Sequence, residues 1–202
     1  MLAILGSFYT RITDVADPVV ATTPNASDRI DDRVTAAGGR VERVRLGALH
    51  EGIDAALSAG GDATEVVFAG EPWKHVHTAW GPWIDGVASA AVLAALAARD
   101  GVDNLRAPVE EKPYRKESVR CPDDRKVPVV ARLEGRLPAA FPDTDVDTEY
   151  GVRLAFDDGG WTLVRPSGTE PYVRIYAESD AVEELVAEVR AVVEAAVEDV
   201  GK

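Results

Sequence analysis

The stretch RPSGTEPYVRIYAES, residues 165–179, decides how the rest of the chain is read. Its second half alternates. Val173, Ile175 and Ala177 fall on one side and Tyr172, Arg174 and Tyr176 on the other, the period of a strand over 172–177. Upstream, 152–156 and 161–164 read as two more strands, joined by Asp157-Asp158-Gly159-Gly160, a hairpin loop by its chemistry. Downstream, Val182, Leu185, Val186, Val189, Val192, Val193, Ala196 and Val200 share one face of a helix over 181–200. A second helix is expected over 124–137, spaced Val127, Val130, Ala131, Leu133 and Leu137, after a short strand at 119–121. Strands grouped with a helix on each side describe a small α+β domain with an antiparallel sheet.

The first residues of the stretch carry chemistry. Arg165 holds a permanent charge in a planar fork that matches phosphate oxygens two at a time. Ser167 and Thr169 add hydroxyl donors, and Gly168 allows close backbone approach because it has no Cβ. Pro166 and Pro171 stiffen both ends, so less entropy is lost on binding. Arg174 offers a second cation, while Glu170 is expected to turn away or to pair with an arginine. The set suits an anion; proline, serine and glycine are also the ordinary residues of a turn.

The first hundred residues have a different texture. A β-branched run at 19–22 leads through the turn signal TTPN to a helix over 27–36, stopped by Ala37-Gly38-Gly39. A strand at 40–45, a helix over 50–59 and a buried strand at 65–69 follow. Asp85 caps a helix over 86–99 that Asp100-Gly101 closes. This alternation predicts an α/β/α layered domain with a mixed sheet over 1–102. The charged stretch 103–118, with two prolines, reads as a linker to the α+β domain over 119–202.

Composition sets outer bounds. With 202 residues, 46% of them hydrophobic, the chain can bury a substantial core. A net charge of −13 argues against nonspecific nucleic-acid binding, and an acidic, lysine-poor surface suits a halophilic cytosol of high salt. Cys121, the single cysteine, excludes an internal disulfide and fits a reducing cytoplasm. The opening MLAILGSFYT has no basic lead, so it is not read as a signal peptide, and the apolar run at 87–98 is too short to span a membrane. The acidic run 143–149 lacks the glycine and final carboxylate of a calcium loop and is expected to be a solvated loop; no metal site is predicted.

With its flanking strands and closing helix, RPSGTEPYVRIYAES closely resembles the phosphate-binding loop in the last domain of the α-D-phosphohexomutases: the phosphomannomutases, phosphoglucomutases and phosphoglucosamine mutases. The resemblance implies that Arg165, Ser167, Gly168 and Thr169 grip the phosphate of a sugar phosphate. FAGEPWKHVHTAWGPWIDGVASAAVL, residues 68–93, resembles the family's third domain, where Gly70-Glu71 matches the sugar-reading loop and Asp85-Gly86 a helix opening. A carboxylate such as Glu71 accepts hydrogen bonds from two ring hydroxyls. Trp73 stands where the family has serine, and Lys74 where it has glycine. Trp73 can stack on a sugar face and Lys74 can contact phosphate; Trp73, Trp80 and Trp83 equally suit burial between domains. By position His75 matches a cleft histidine that handles protons or touches phosphate, and Arg45 falls among cleft-lining residues. His77 is read as structural, and Glu71, His75 and His77 make a poor metal trio without a fourth ligand.

In that family the phosphoryl-carrying serine lies in a Ser-His-Asn-Pro setting in the first domain. Magnesium is expected through an Asp-Gly-Asp loop in the second. Neither pattern occurs in these 202 residues, so no cofactor is expected in this chain. The isolated chain is expected to be inactive, with a separate N-terminal mutase half or self-association as its partnership.

Overall fold

The computed structural model describes residues 1–109 and 111–201. Residue 110, inside the expected linker, and residue 202, the last of the expected second domain, lie outside the described residues. The chain divides into two compact units, Met1–Glu111 and Lys112–Lys202.

The first unit holds α1 (Leu2–Ile12), β1 (Asp17–Thr22), α2 (Arg29–Thr35), β2 (Arg40–Arg43), α3 (Leu49–Gly60), β3 (Thr64–Glu71), β4 (Lys74–Val76), α4 (Gly86–Asp100) and α5 (Val102–Arg106). Its sheet runs β2-β1-β3-β4, parallel except for the antiparallel β4, so it is mixed as expected. Alternation along β1 sends Val20 to one face, where it meets Leu5, Tyr9, Ile30, Val34 and Phe68. Val19 and Ala21 go to the other face with Leu49, Ala56, Val66, Ala69 and Val76. Helices therefore cover both faces, α1 and α2 on the first and α3 on the second. Helix α1 was not foreseen, because its opening was weighed only as a leader. Its Gly6 sits so close to Val20 and Val34 that a Cβ would come within 3.2 Å of the latter.

One irregularity positions the site. The β1–β3 register slips after Val19, which pairs with Val66, whereas Val20 pairs with Phe68. Val67 is the extra residue, and Val67 and Phe68 both join the α1 face. An extra residue reverses the alternation beyond it. It leaves Ala69 on the α3 face and puts Glu71, two residues on, on that same side.

The second unit holds β5 (Tyr114–Arg120), α6 (Asp123–Ala140), β6 (Asp145–Asp147), β7 (Val152–Ala155), β8 (Trp161–Pro166), β9 (Tyr172–Glu178) and α7 (Val182–Val200). All pairings in the sheet, ordered β5-β9-β8-β7-β6, are antiparallel. Both helices bury their apolar stripes against one face: Val129, Leu133 and Leu137 of α6 and Val186, Val189 and Val193 of α7 meet Val152, Leu154, Val173 and Ile175.

Four expectations change. The stretch 103–118 is not a bare linker: it carries most of α5, a 3-10 turn at Ala107–Val109 and the start of β5. The sequence YRKESVR hides that strand because it lies at a sheet edge and buries only Val119. Tyr176, placed outward by alternation, is buried with Trp161 and Leu163 in a second cluster away from the helices. On α6 the buried row is Lys126, Val129, Leu133 and Leu137, leaving Val127 exposed. The acidic run is not wholly loop, since Asp145–Asp147 forms the exposed strand β6. No described helix is long and apolar enough to cross a membrane.

Candidate functional site

The loop between β8 and β9 is closed by its own backbone. Ser167 N–H donates to Tyr172 O at 2.9 Å, and Tyr172 N–H donates to Glu170 O at 2.8 Å. Below this closure Arg165 pairs in register with Arg174 and Pro166 with Val173. Directly opposed residues of an antiparallel pair point to the same face, so the two guanidiniums stand side by side. Arg174 is tied to the Glu170 carboxylate, as the charge of that residue demands. Hydrogen bonds to Tyr176 and Glu170 push the Arg174 pKa above its ordinary value. Gly168, Thr169 and Glu170 are exposed, while Ser167 is buried with an Oγ that finds no hydrogen-bond partner in the protein. A Cβ on Gly168 would meet nothing within 4 Å, so packing does not require glycine there.

A lysine that sequence reasoning passed over reaches the loop from α6. Lys126 is buried and donates to Ser167 O at 2.7 Å and Glu170 O at 2.6 Å. It also pairs with Asp123 at 2.5 Å. The signal was legible: Lys126 stands three, seven and eleven residues before Val129, Leu133 and Leu137, on the stripe of the helix that faces the core.

In the first unit, Glu71 and Lys74 pair across a hairpin whose two-residue turn is Pro72-Trp73. The Glu71 carboxylate accepts from Gly47 N–H at 3.2 Å through Oε1 and lies 3.4 Å from Lys74 Nζ through Oε2. It therefore faces the turn between β2 and α3 that also carries the exposed Arg45. Gly70, next to Glu71, is held by Thr22, whose hydroxyl donates to Gly70 O at 2.7 Å. The three tryptophans are not buried: Trp73, Trp80 and Trp83 are 73%, 52% and 55% exposed. Trp80 stacks on His77 with ring centres 5.2 Å apart.

His75 and His77, two apart on one side of the chain, converge on a single hydroxyl. Ser89 Oγ lies 2.8 Å from His75 Nδ1 and 2.8 Å from His77 Nε2. It has one proton, which it donates to Asp85 O at 3.1 Å. Both histidine nitrogens facing it must therefore carry hydrogen. That leaves His77 Nδ1 as the acceptor for Tyr9 O–H at 2.7 Å. It also leaves His75 Nε2 as a bare acceptor, enclosed and without a protein partner. Burial first, then the neighbouring His77 and the Met1 amino group, push His75 down to about 4, so it is neutral at pH 7. His77 is buried, with both ring nitrogens engaged, by Tyr9 and by Ser89. Among the described residues no group of three or more His, Cys, Asp or Glu side chains is placed to hold a metal ion.

The first unit thus presents a carboxylate at a strand end, and the second a glycine-bearing loop above two arginines in register. Residues 118–196 match the family profile described as Phosphoglucomutase/phosphomannomutase, C-terminal domain. The phosphopentomutase of Thermococcus kodakarensis is 37% identical over 186 residues, which are 89% of this chain and 38% of that protein. A probable phosphoglucosamine mutase of Methanopyrus kandleri is 40% identical over 176 residues, 85% of this chain and 36% of that one. The chain thus spans well under half the length of the curated relatives it matches. A crystal structure of a phosphoglucomutase/phosphomannomutase family protein from Burkholderia thailandensis shares the fold, with a TM-score of 0.71 at 21% identity, over 96% of this chain and 41% of that one. The chain belongs to the α-D-phosphohexomutase family and corresponds to its C-terminal part.

Proposed function

We propose that the chain is the substrate-gripping C-terminal part of a phosphohexomutase, an intramolecular phosphotransferase that interconverts sugar 1- and 6-phosphates. Arg165, Thr169 and the Gly168 backbone hold the phosphate, with Ser167 in the loop wall and Arg174 as the adjoining cation. Glu71 reads sugar hydroxyls, with Trp73 and Lys74 at the hairpin tip, His75 and Arg45 completing the cleft. The observation that carries this reading is the loop itself: two arginines in register beneath an exposed turn whose glycine the fold does not require.

Phosphoryl transfer needs a nucleophile to carry the group and a cation to offset its charge, and no residue here is assigned either task. Turnover in this proposal requires the family's N-terminal half, supplied in the cytoplasm by a separate chain. The test is a calorimetric titration with glucosamine, glucose, mannose and ribose phosphates, followed by an assay for interconversion of the 1-phosphate with the 6-phosphate (the 5-phosphate for ribose) after mixing with a candidate N-terminal half. Binding plus conversion on mixing supports the reading; no binding of any member of the panel sinks it.

A second reading is a phosphosugar-binding module without chemistry. Binding without conversion in any mixture would select it.

A further inference from the structure

We infer that Lys126 is a positioning residue for the phosphate loop, its buried ammonium setting the direction of the loop's peptide groups; the inference rests on the phosphate-grip reading above. The ammonium has three protons and three acceptors: Ser167 O, Glu170 O and the carboxylate of Asp123. In a planar trans peptide the C=O and the following N–H point in opposite directions. Drawing Ser167 O toward Lys126, at 2.7 Å, therefore turns the Gly168 N–H away from the lysine and out of the loop. At the other end Glu170 O is shared between Lys126 and the Tyr172 N–H, and Pro171 has no N–H to compete for a different arrangement. One side chain thus fixes both ends of the turn that Gly168 and Thr169 occupy.

The cost of this arrangement is an argument for its use. Lys126 lies on the stripe of α6 that continues into Val129, Leu133 and Leu137, where an apolar residue would pack without losing water. Burying an ammonium costs desolvation free energy that its hydrogen bonds and ion pair offset only in part. Among the described residues its ionic partner is Asp123, which is mostly exposed, so the pair is solvated on one side and the positive charge beneath the loop is incompletely neutralised. A methionine would avoid the desolvation cost but leave Ser167 O and Glu170 O without these donors. The lysine serves an anion loop by holding N–H donors outward and adding a charge behind them.

The experiment compares the wild-type chain with Lys126→Met, Lys126→Arg and Arg165→Ala. It measures calorimetric affinity for inorganic phosphate and glucosamine 6-phosphate, the Gly168 amide proton shift on adding phosphate, and a thermal melt. Lys126→Met is expected to melt cooperatively but at a lower temperature than wild type, to bind both ligands at least about tenfold more weakly, and to lose the downfield shift of the Gly168 amide. Lys126→Arg should recover part of both. Should Lys126→Met lose its cooperative melt, Lys126→Gln, which keeps one donor group and no charge, is read by the same criteria. Wild-type affinity and an unchanged Gly168 shift in the neutral variant, with binding lost in Arg165→Ala, overturn the role of Lys126 alone. Absence of binding by the wild-type chain overturns the phosphate-grip reading and this inference with it.

Discussion

Arg165 and Arg174 face each other directly across the β8–β9 ladder, and among the described residues Arg174 alone of the two has an ion-pair partner, Glu170. Two like charges in register oppose pairing unless something negative lies between them. In the free chain Glu170 pairs with Arg174; on the phosphate-grip reading proposed above, a bound anion would take its place. Glu170→Gln should therefore tighten phosphate binding by about threefold, by releasing Arg174, and lower the melting temperature of the unliganded chain. Arg165→Ala should weaken binding by about 2 kcal/mol, roughly thirtyfold. Opposite signs in a calorimetric titration are the outcome to look for; two losses would mean that Glu170 itself contacts the ligand.

The buried histidines set a pH limit. His75 has its pKa lowered from 6.5 to about 4, chiefly by burial. A histidine held neutral contributes stability above its unfolded pKa and loses it as pH falls toward the folded value. The loss should run from about pH 6.5 down to about 4 and reach on the order of 3 kcal/mol. Denaturant melts of wild type and His75→Gln across that window check it, and the difference should shrink on acidification.

Gly151 is a backbone requirement. It has φ +131, and a Cβ there would lie 2.6 Å from Val164 O and 2.8 Å from Arg165 Cβ. Gly151→Ala should cost on the order of 3 kcal/mol and also weaken phosphate binding, because the clash falls on Arg165. A variant that melts like wild type would refute this.

A net charge of −13 predicts salt dependence. Raising potassium chloride from about 0.1 to about 1 M shortens the screening length from about 10 to about 3 Å and should raise the melting temperature by several degrees. A flat or falling profile would show that self-repulsion does not limit stability.

Much of the fold was legible because it rests on period. The strands at β1, β3, β7, β8 and β9 and the helices α3, α4, α6 and α7 follow from alternation, apolar stripes and caps, including the Asp85 side chain that accepts from Ala88 N–H. What period cannot reveal are edges and phase. Strands β5 and β6 bury too little, and the three-residue β4 is too short, to show alternation, and Lys126 broke the apolar stripe of α6 and so shifted its apparent phase. At the candidate site, the sequence pointed to Arg165, Ser167, Glu71 and His75 by type and resemblance. It could not show the Val67 bulge that turns Glu71 to its side of the sheet, nor the shared Ser89 hydroxyl that leaves His75 an acceptor.

The second sheet terminates on β6, whose Asp145 and Asp147 are fully in water. A strand recruited from another chain would have to strip hydration from those carboxylates before gaining any ladder bond. Concentrated salt screens repulsion between chains but does not supply that hydration. The acidic rim therefore guards against aggregation by a means that persists in brine, where charge repulsion alone would fail.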